Sequence, residues 1–184
     1  MMKSVCVYCG SHIGKNPNFP VLAEDIGRQI ARHQWGLVYG GGKVGLMGKI
    51  STAALAEGGE VIGVIPTALK RAEVVHTGLT ELYETSDMHS RKAKMEQLSD
   101  AFLILPGGFG TLDEFFEILT WRQLGIHQKP IIFLNTEGYF DGILKFAQHA
   151  VKTGFVAEEN LSLFEVADNE AECIEMLESV LGFS

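Results

Sequence analysis

Short apolar runs alternate along the chain with longer segments in which apolar residues recur every three or four positions. The run at 101–105 is too short for a helix and is followed by Pro106 and Gly107, which is typical of a strand buried on both faces. Further strands are predicted along the chain, at residues 5–8, 35–39, 61–65, 81–84, 130–134 and 163–166.

The segments between these strands have helical spacing. Helices are predicted at 20–32, through 53–56 as far as Gly58, at 87–98, from the 106–114 turn to about Leu124, at 138–152 and at 171–181, with a short helix and an exposed loop between 67 and 80. Strands that alternate with helices predict a parallel, doubly wound sheet with helices on both faces. The chain has 184 residues and no linker or repeat, so we predict one Rossmann-like α/β domain over residues 1–184.

Glycine-rich turns follow three of the strands, at 10–14, 40–48 and 107–110. The carboxyl ends of parallel strands share one edge of the sheet, so we expect the three turns to converge on a single cleft. In the third turn, Gly107, Gly108 and Gly110 let the backbone approach a ligand, while the amides and the dipole of the following helix attract an anion. The sequence therefore predicts a phosphate site at this turn.

Composition narrows the classes of partner. The net charge of -8 argues against a protein that acts mainly on nucleic acid or on an anionic membrane. The beginning of the chain lacks the long apolar core of a signal peptide and no apolar run could span a bilayer, so we expect a cytoplasmic protein. Three cysteines favour reduced thiols over a disulfide framework. Cys6 and Cys9 form a C-x-x-C motif, but it lies within a strand and no second pair completes a zinc site.

The second glycine turn also matches a dinucleotide-binding fingerprint, Gly40-x-Gly42-x-x-Gly45. That fingerprint expects an acidic residue about 20 residues later, at the end of the next strand, to hold a ribose. Here the strand ends in Ile65 and Pro66 without a carboxylate. The pattern therefore favours a loop that holds a mononucleotide or simply packs closely.

For the polar residues near the third turn, both a structural and a functional interpretation are possible. Thr111 and Glu114 have the spacing of a helix capping box, and on the pattern alone capping and catalysis are equally well supported for Glu114. Arg91 and Lys92 fall in the first turn of a helix, where the dipole disfavours each cation by about 0.3–1 kcal/mol. Such a departure from a local rule is expected at functional sites, and the alternative is a solvated basic turn.

Three motifs together resemble one known family. The sequence PGGxGTxxE is complete at 106–114, an Arg-Lys pair stands at Arg91 and Lys92, and YGGGxxGLMG is matched at 39–48. These motifs, in this order and spanning most of the chain, are similar to those of the cytokinin riboside 5'-monophosphate phosphoribohydrolases, the "lonely guy" (LOG) family, often mislabelled lysine decarboxylases. The resemblance implies hydrolysis of the N-glycosidic bond of purine nucleoside 5'-monophosphates, whose base is adenine or N6-substituted adenine, by a homodimer without cofactor.

The resemblance also assigns residues. It implies that Arg91 and Glu114 are catalytic. The predicted substrate-binding residues are Lys92, Gly107, Gly108, Phe109, Gly110, Thr111, Leu112, Asp113, Glu73, Thr120, Gly41, Gly42 and Ser11. No histidine has metal-ligand spacing, so no metal is expected, and Met88 and Met95 are expected in the core.

Two other functions remain open on the sequence. The same turn could bind a nucleotide such as AMP without hydrolysing it. A pyridoxal-phosphate decarboxylase is suggested by the family's older label, but the chain is short for such an enzyme and no lysine has an evident acidic partner for the ring nitrogen.

Overall fold

The computed structural model describes residues 2–70 and 75–182. Seven parallel strands form one sheet in the order β4-β3-β2-β1-β5-β6-β7. The strands are β1 (Ser4–Tyr8), β2 (Gly36–Tyr39), β3 (Val61–Pro66), β4 (Glu81–Thr85), β5 (Ala101–Ile104), β6 (Ile131–Leu134) and β7 (Glu165–Ala167). The helices are α1 (Asn18–Arg32), α2 (Gly45–Ala56), α3 (Thr67–Lys70), α4 (Met88–Gln97), α5 (Phe109–Gln123), α6 (Asp141–Lys152) and α7 (Glu170–Leu181).

Helices cover both faces of the sheet. Along β1, Val5 and Val7 pack with residues of α1, α2 and α7, whereas Cys6 and Tyr8 pack with residues of α4, α5 and α6. Because the central strands are buried on both faces, their sequences are continuous apolar runs. The predicted parallel, doubly wound α/β sheet is therefore confirmed.

The order of the strands creates a crevice beside β1. The chain adds β2, β3 and β4 on one side of β1 and then returns to place β5 on the other side. The loops after β1 and β5 consequently diverge, and such a switch point is where doubly wound sheets bind ligands. The two loops are joined at their base, since the Gly10 amide donates to the Pro106 carbonyl at 3.0 Å.

Several predicted boundaries differ from the structure, and two of these differences have a clear physical cause. The last strand begins at Glu165 and not at 163, because residues Glu158–Leu163 form a 3-10 turn. Helix α6 begins at Asp141 and not at 138, because Glu137 and Gly138 have φ values of 57° and 68° and cannot continue an α-helix. Within residues 2–70 and 75–182, no helix has the length and apolar character needed to cross a membrane.

Candidate active site

A cavity of about 550 Å³ opens at the switch point. Its walls are the loops that follow β1, β5 and β6 and the N-terminal turns of α2, α4 and α5. Many predicted site residues line it together, namely Ser11, Arg91, Gly107, Gly108, Phe109, Gly110, Thr111, Asp113 and Glu114. Residues that are far apart in the chain thus share one cleft.

The N-terminus of α5 offers unpaired amides to this cavity. The first hydrogen bond of the helix runs from the Leu112 amide to the Gly108 carbonyl at 3.2 Å. No described residue accepts a hydrogen bond from the preceding amides of Phe109, Gly110 and Thr111. Three amide donors and the positive end of the helix dipole make this turn suited to a phosphate.

The N-terminus of α2 differs from that of α5. The amides of Leu46 and Met47 both donate to the Gly10 carbonyl, at 3.0 and 3.3 Å. Gly45 has a φ of 66°, and a side chain there would overlap the backbone of Ser11. The second glycine turn therefore packs against the loop after β1, and of the two helix termini only α5 keeps its amides available for an anion.

The capping-box interpretation of Glu114 is wrong. Helix α5 begins at Phe109, and Gly108 occupies the N-cap position without a side-chain cap. Thr111 therefore lies inside the first turn, where it cannot cap the helix, and it is buried beside Gly107. A Cβ at Gly107 would lie 2.7 Å from the Cβ of Thr111, so this close approach requires glycine.

Glu114 and Arg91 face each other at the base of the cavity. Both are nearly buried, and Nη2 of Arg91 lies 3.8 Å from Oε1 of Glu114. The guanidinium is fixed by backbone carbonyls at the ends of two strands: Nε donates to Val64 O at 3.1 Å and Nη2 to Gly40 O at 3.4 Å. A buried carboxylate is costly without a positive partner, and Arg91 supplies one.

Helix α4, which carries Arg91, is capped by Asp87. Its carboxylate accepts hydrogen bonds from the Ser90 amide at 2.8 Å and from the Ser90 hydroxyl at 2.7 Å. These bonds, with one from Ser86, lower the pKa of Asp87 to about 2. The cap therefore stays ionised at neutral pH and holds the turn that presents Arg91.

Lys92 does not line the cavity. Its ammonium contacts the carboxylate of Glu117 and lies 3.1 Å from Oδ2 of Asp113, so it joins α4 to α5. Burial alone would lower the pKa of Lys92, but the hydrogen bonds to Glu117 and Asp113 outweigh it and the pKa is raised. The structure thus places Lys92 in an interhelical ion pair beside the cleft.

Other predicted residues also lie outside the cavity wall. Leu112 packs on the core beneath α5, and the Thr120 hydroxyl donates to the Phe116 carbonyl on the exposed side of that helix. Gly41 and Gly42 are buried and contact the segment at 75–76. Glu73 lies outside the described residues. Met95 is buried as expected, whereas Met88 lines the cavity and is 37% exposed, because it occupies the first position of α4.

Several cavity residues were not predicted from the sequence. Lys15 and Phe19 come from the segment after β1, and Tyr139 comes from the loop after β6. Their positions after parallel strands are the signal that could have identified them, because these loops share the edge of the sheet that carries the cleft.

The cysteines are buried and unpaired in disulfides. Burial raises the pKa of Cys6 to about 12 and that of Cys173 to about 12, so both thiols stay protonated at neutral pH. Cys6 of the C-x-x-C motif therefore belongs to the buried strand β1, and Cys9 is buried directly after it. Within 2–70 and 75–182 no cluster of three His, Cys, Asp or Glu side chains could hold a metal ion.

Comparisons with known proteins give consistent matches. A family model described as "Possible lysine decarboxylase" matches residues 47–177. The cytokinin riboside 5'-monophosphate phosphoribohydrolase of Rhodococcoides fascians is 51% identical over 155 residues, which is 84% of this chain and 78% of that protein. A relative of the same name from Arabidopsis thaliana is 43% identical over 176 residues, which is 96% of this chain and 81% of the relative.

Solved structures share the fold. The molybdenum cofactor binding protein from Rippkaea orientalis is 25% identical and has a TM-score of 0.74, over 98% of this chain and 99% of that one. The molybdenum cofactor carrier protein from Chlamydomonas reinhardtii is 21% identical with a TM-score of 0.73, over 98% of this chain and 99% of that one. At these identities the likeness concerns the architecture.

Proposed function

Because the chain belongs to the family of cytokinin riboside 5'-monophosphate phosphoribohydrolases, we propose that it hydrolyses the N-glycosidic bond of nucleoside 5'-monophosphates. The substrates would be purine nucleotides with adenine or an N6-substituted adenine, and the products would be the free base and ribose 5-phosphate. The observation that carries the proposal is the buried pair of Arg91 and Glu114 beside a helix N-terminus whose first amides are unpaired among the described residues, within one cavity.

The 5'-phosphate would bind at the start of α5. The amides of Phe109, Gly110 and Thr111 are available there, and the glycines allow close approach. Binding energy from this remote group can hold the reacting bond in place. A nucleoside without the phosphate should therefore be a poor substrate.

Glu114 would act at the anomeric carbon. It follows Thr111 by three residues on α5, a rise of about 4.5 Å that a ribose can bridge. As the bond from the sugar to the base breaks, its electron pair leaves with the base and the sugar becomes oxocarbenium-like. The carboxylate would stabilise this cation and take a proton from the attacking water, whose hydroxyl bonds to the anomeric carbon. Transfer of that proton to the base would balance the hydrolysis and return Glu114 to its ionised form.

Arg91 would orient Glu114. Its guanidinium is held by Val64 and Gly40, so its position is set by the sheet and not by a mobile loop. At 3.8 Å it keeps the carboxylate of Glu114 directed to one place. A fixed charge pair of this kind needs little reorganisation during the reaction.

We also propose a cytoplasmic homodimer. The location is supported by three buried cysteines without a disulfide.

The dimer is supported by exposed apolar side chains at the end of α5 and in the turn after it, Leu124 at 68% and Ile126 at 63% exposure. Sedimentation of the protein and of Leu124→Lys tests the dimer, and a monomeric wild-type protein would contradict it.

The function is tested by incubation with AMP, isopentenyladenosine monophosphate and adenosine, followed by chromatography of free base and ribose 5-phosphate. We expect base release from the two monophosphates, with kcat lowered by about 10²–10⁴ in Glu114→Gln and in Arg91→Ala. Glu175→Gln is the matched control, because Glu175 is exposed on α7. Tight binding of AMP without release of base would overturn the enzymatic proposal and favour a nucleotide-binding module.

A further inference from the structure

The loop between β6 and α6 is joined to the two other loops that line the cleft, those after β1 and β5. The Tyr139 hydroxyl donates a hydrogen bond to the Gly107 carbonyl at 2.5 Å. The Tyr139 ring meets the Phe19 ring edge to face, with centroids 5.4 Å apart. Tyr139 thus contacts the glycine turn at 107–110, called the phosphate turn below, on one side and the start of α1 on the other, and the proposed reaction gives it no role.

Glu137 adds a second connection from the same loop. Its carboxylate accepts hydrogen bonds from Nδ2 of Asn16 at 2.5 Å and from Nδ2 of Asn18 at 2.6 Å. These two hydrogen bonds lower the pKa of Glu137, and the bond from Asn18 has the larger effect. Glu137 has φ 57° and ψ 25°, a left-handed conformation that is uncommon for a residue with a Cβ. Such backbone persists where its surroundings hold it, so the loop is built to a fixed shape.

The hydrogen bond to Gly107 determines how the phosphate turn is oriented. In a planar trans peptide, the carbonyl of Gly107 and the amide of Gly108 point in opposite directions. Glycines on both sides make rotation of this peptide easy, because no Cβ opposes it. Tyr139 binds the carbonyl and therefore fixes the direction of the Gly108 amide, which is followed by the unpaired amides of α5.

We propose that Tyr139 is a positioning residue that keeps the Gly108 amide, and not the Gly107 carbonyl, directed at the bound phosphate. Without the hydroxyl, the peptide can rotate and present a carbonyl oxygen to the anion. The inference rests on the proposed function for the identity of that anion. It concerns the binding of the phosphate and leaves the chemistry at the sugar to Glu114 and Arg91.

The test uses Tyr139→Phe, which removes the hydroxyl and keeps the ring against Phe19. We expect the Kd for ribose 5-phosphate, measured by titration calorimetry, to rise about tenfold, the effect of one hydrogen bond of about 1.4 kcal/mol. The KM for AMP should rise by a similar factor, while kcat changes less than twofold and the Kd for adenosine is unchanged. Tyr83→Phe is the matched control, because Tyr83 is half-buried on β4, away from the cleft.

Three results would overturn the inference: an unchanged Kd for ribose 5-phosphate, an equal loss of affinity for adenosine, or no binding of ribose 5-phosphate by the wild-type protein. Failure of the proposed function is separate and is seen in the wild-type protein alone, as binding without base release. In that case the ratio of the Kd for ribose 5-phosphate in Tyr139→Phe to that in the wild-type protein still decides the role of Tyr139.

Discussion

Gly40→Ala tests whether the position of Arg91, and not only its charge, supports the reaction. Gly40 follows β2 and lies against the guanidinium. A Cβ there would overlap Nη2 of Arg91 and lie 2.9 Å from Sδ of Met47. Because non-bonded heavy atoms prefer separations of about 3.5 Å, the guanidinium must retreat by roughly 1 Å. That retreat changes the present separation of 3.8 Å between Arg91 and Glu114.

A displacement of this size predicts a loss of rate without a loss of binding. We expect kcat for release of base from AMP to fall about 100-fold, because misplacement by 1 Å is known to cost about that much. The Kd for ribose 5-phosphate should stay within twofold of wild type, since the amides proposed to bind the phosphate belong to residues 108–111 and not to Arg91. Crowding should also lower the free energy of unfolding by about 1–3 kcal/mol, measured with urea.

The control for a methyl group alone is Gly142→Ala on α6. No heavy atom lies within 4 Å of the added Cβ, so we expect unchanged kcat and a gain of about 0.4–1 kcal/mol in stability. If Gly40→Ala folds, binds ribose 5-phosphate and keeps kcat within twofold of wild type, the argument from the position of Arg91 is refuted.

Two further predictions concern α4. Lys92→Met should lower the free energy of unfolding, measured with urea, by about 2 kcal/mol. This is less than the loss of about 3–5 kcal/mol when a fully buried ion pair is broken, because the Glu117 side chain keeps 20% exposure. A change below about 0.5 kcal/mol would contradict a stabilising ion pair. Asp87 has its pKa lowered to about 2, so its stabilisation is complete above about pH 4 and is lost as the pH falls towards 2. Asp87→Asn keeps a cap that does not titrate, so its Tm should fall less than that of wild type between pH 5 and 2.5, and equal falls would be inconsistent with this account.

The sheet and its cleft follow from local patterns. Strands such as β5 and β6 are buried on both faces, and their apolar runs mark them directly. The start of α5 was harder to place, because Thr111 and Glu114 match a capping box while the actual N-cap, Gly108, has no side chain to signal it. Here the backbone conformation of the glycine turn, and not the side-chain pattern, determines where the helix begins.

Contacts between distant loops leave no local pattern. Glu137 and Tyr139 stand in a polar turn and reach partners far away in the sequence, at Asn16, Asn18 and Gly107. Lys92 is similar, since its partners Asp113 and Glu117 lie on another helix. Such pairings are fixed only when the sheet brings the loops together, so the sequence alone could place the cleft but not the contacts that shape it.

The central place of β1 has a consequence for biosynthesis. It leaves the ribosome before the other six strands of the sheet, yet Val5 pairs with Ala101, 96 positions later. At a synthesis rate of about 5–20 residues per second, the edge of β1 that pairs with β5 stays unpaired for roughly 5–20 s. During this time its free backbone N–H and C=O groups can pair with other chains. The nascent protein therefore has a period of vulnerability to aggregation that ends when β5 emerges, and chaperones that shield apolar strands should raise the yield of folded enzyme.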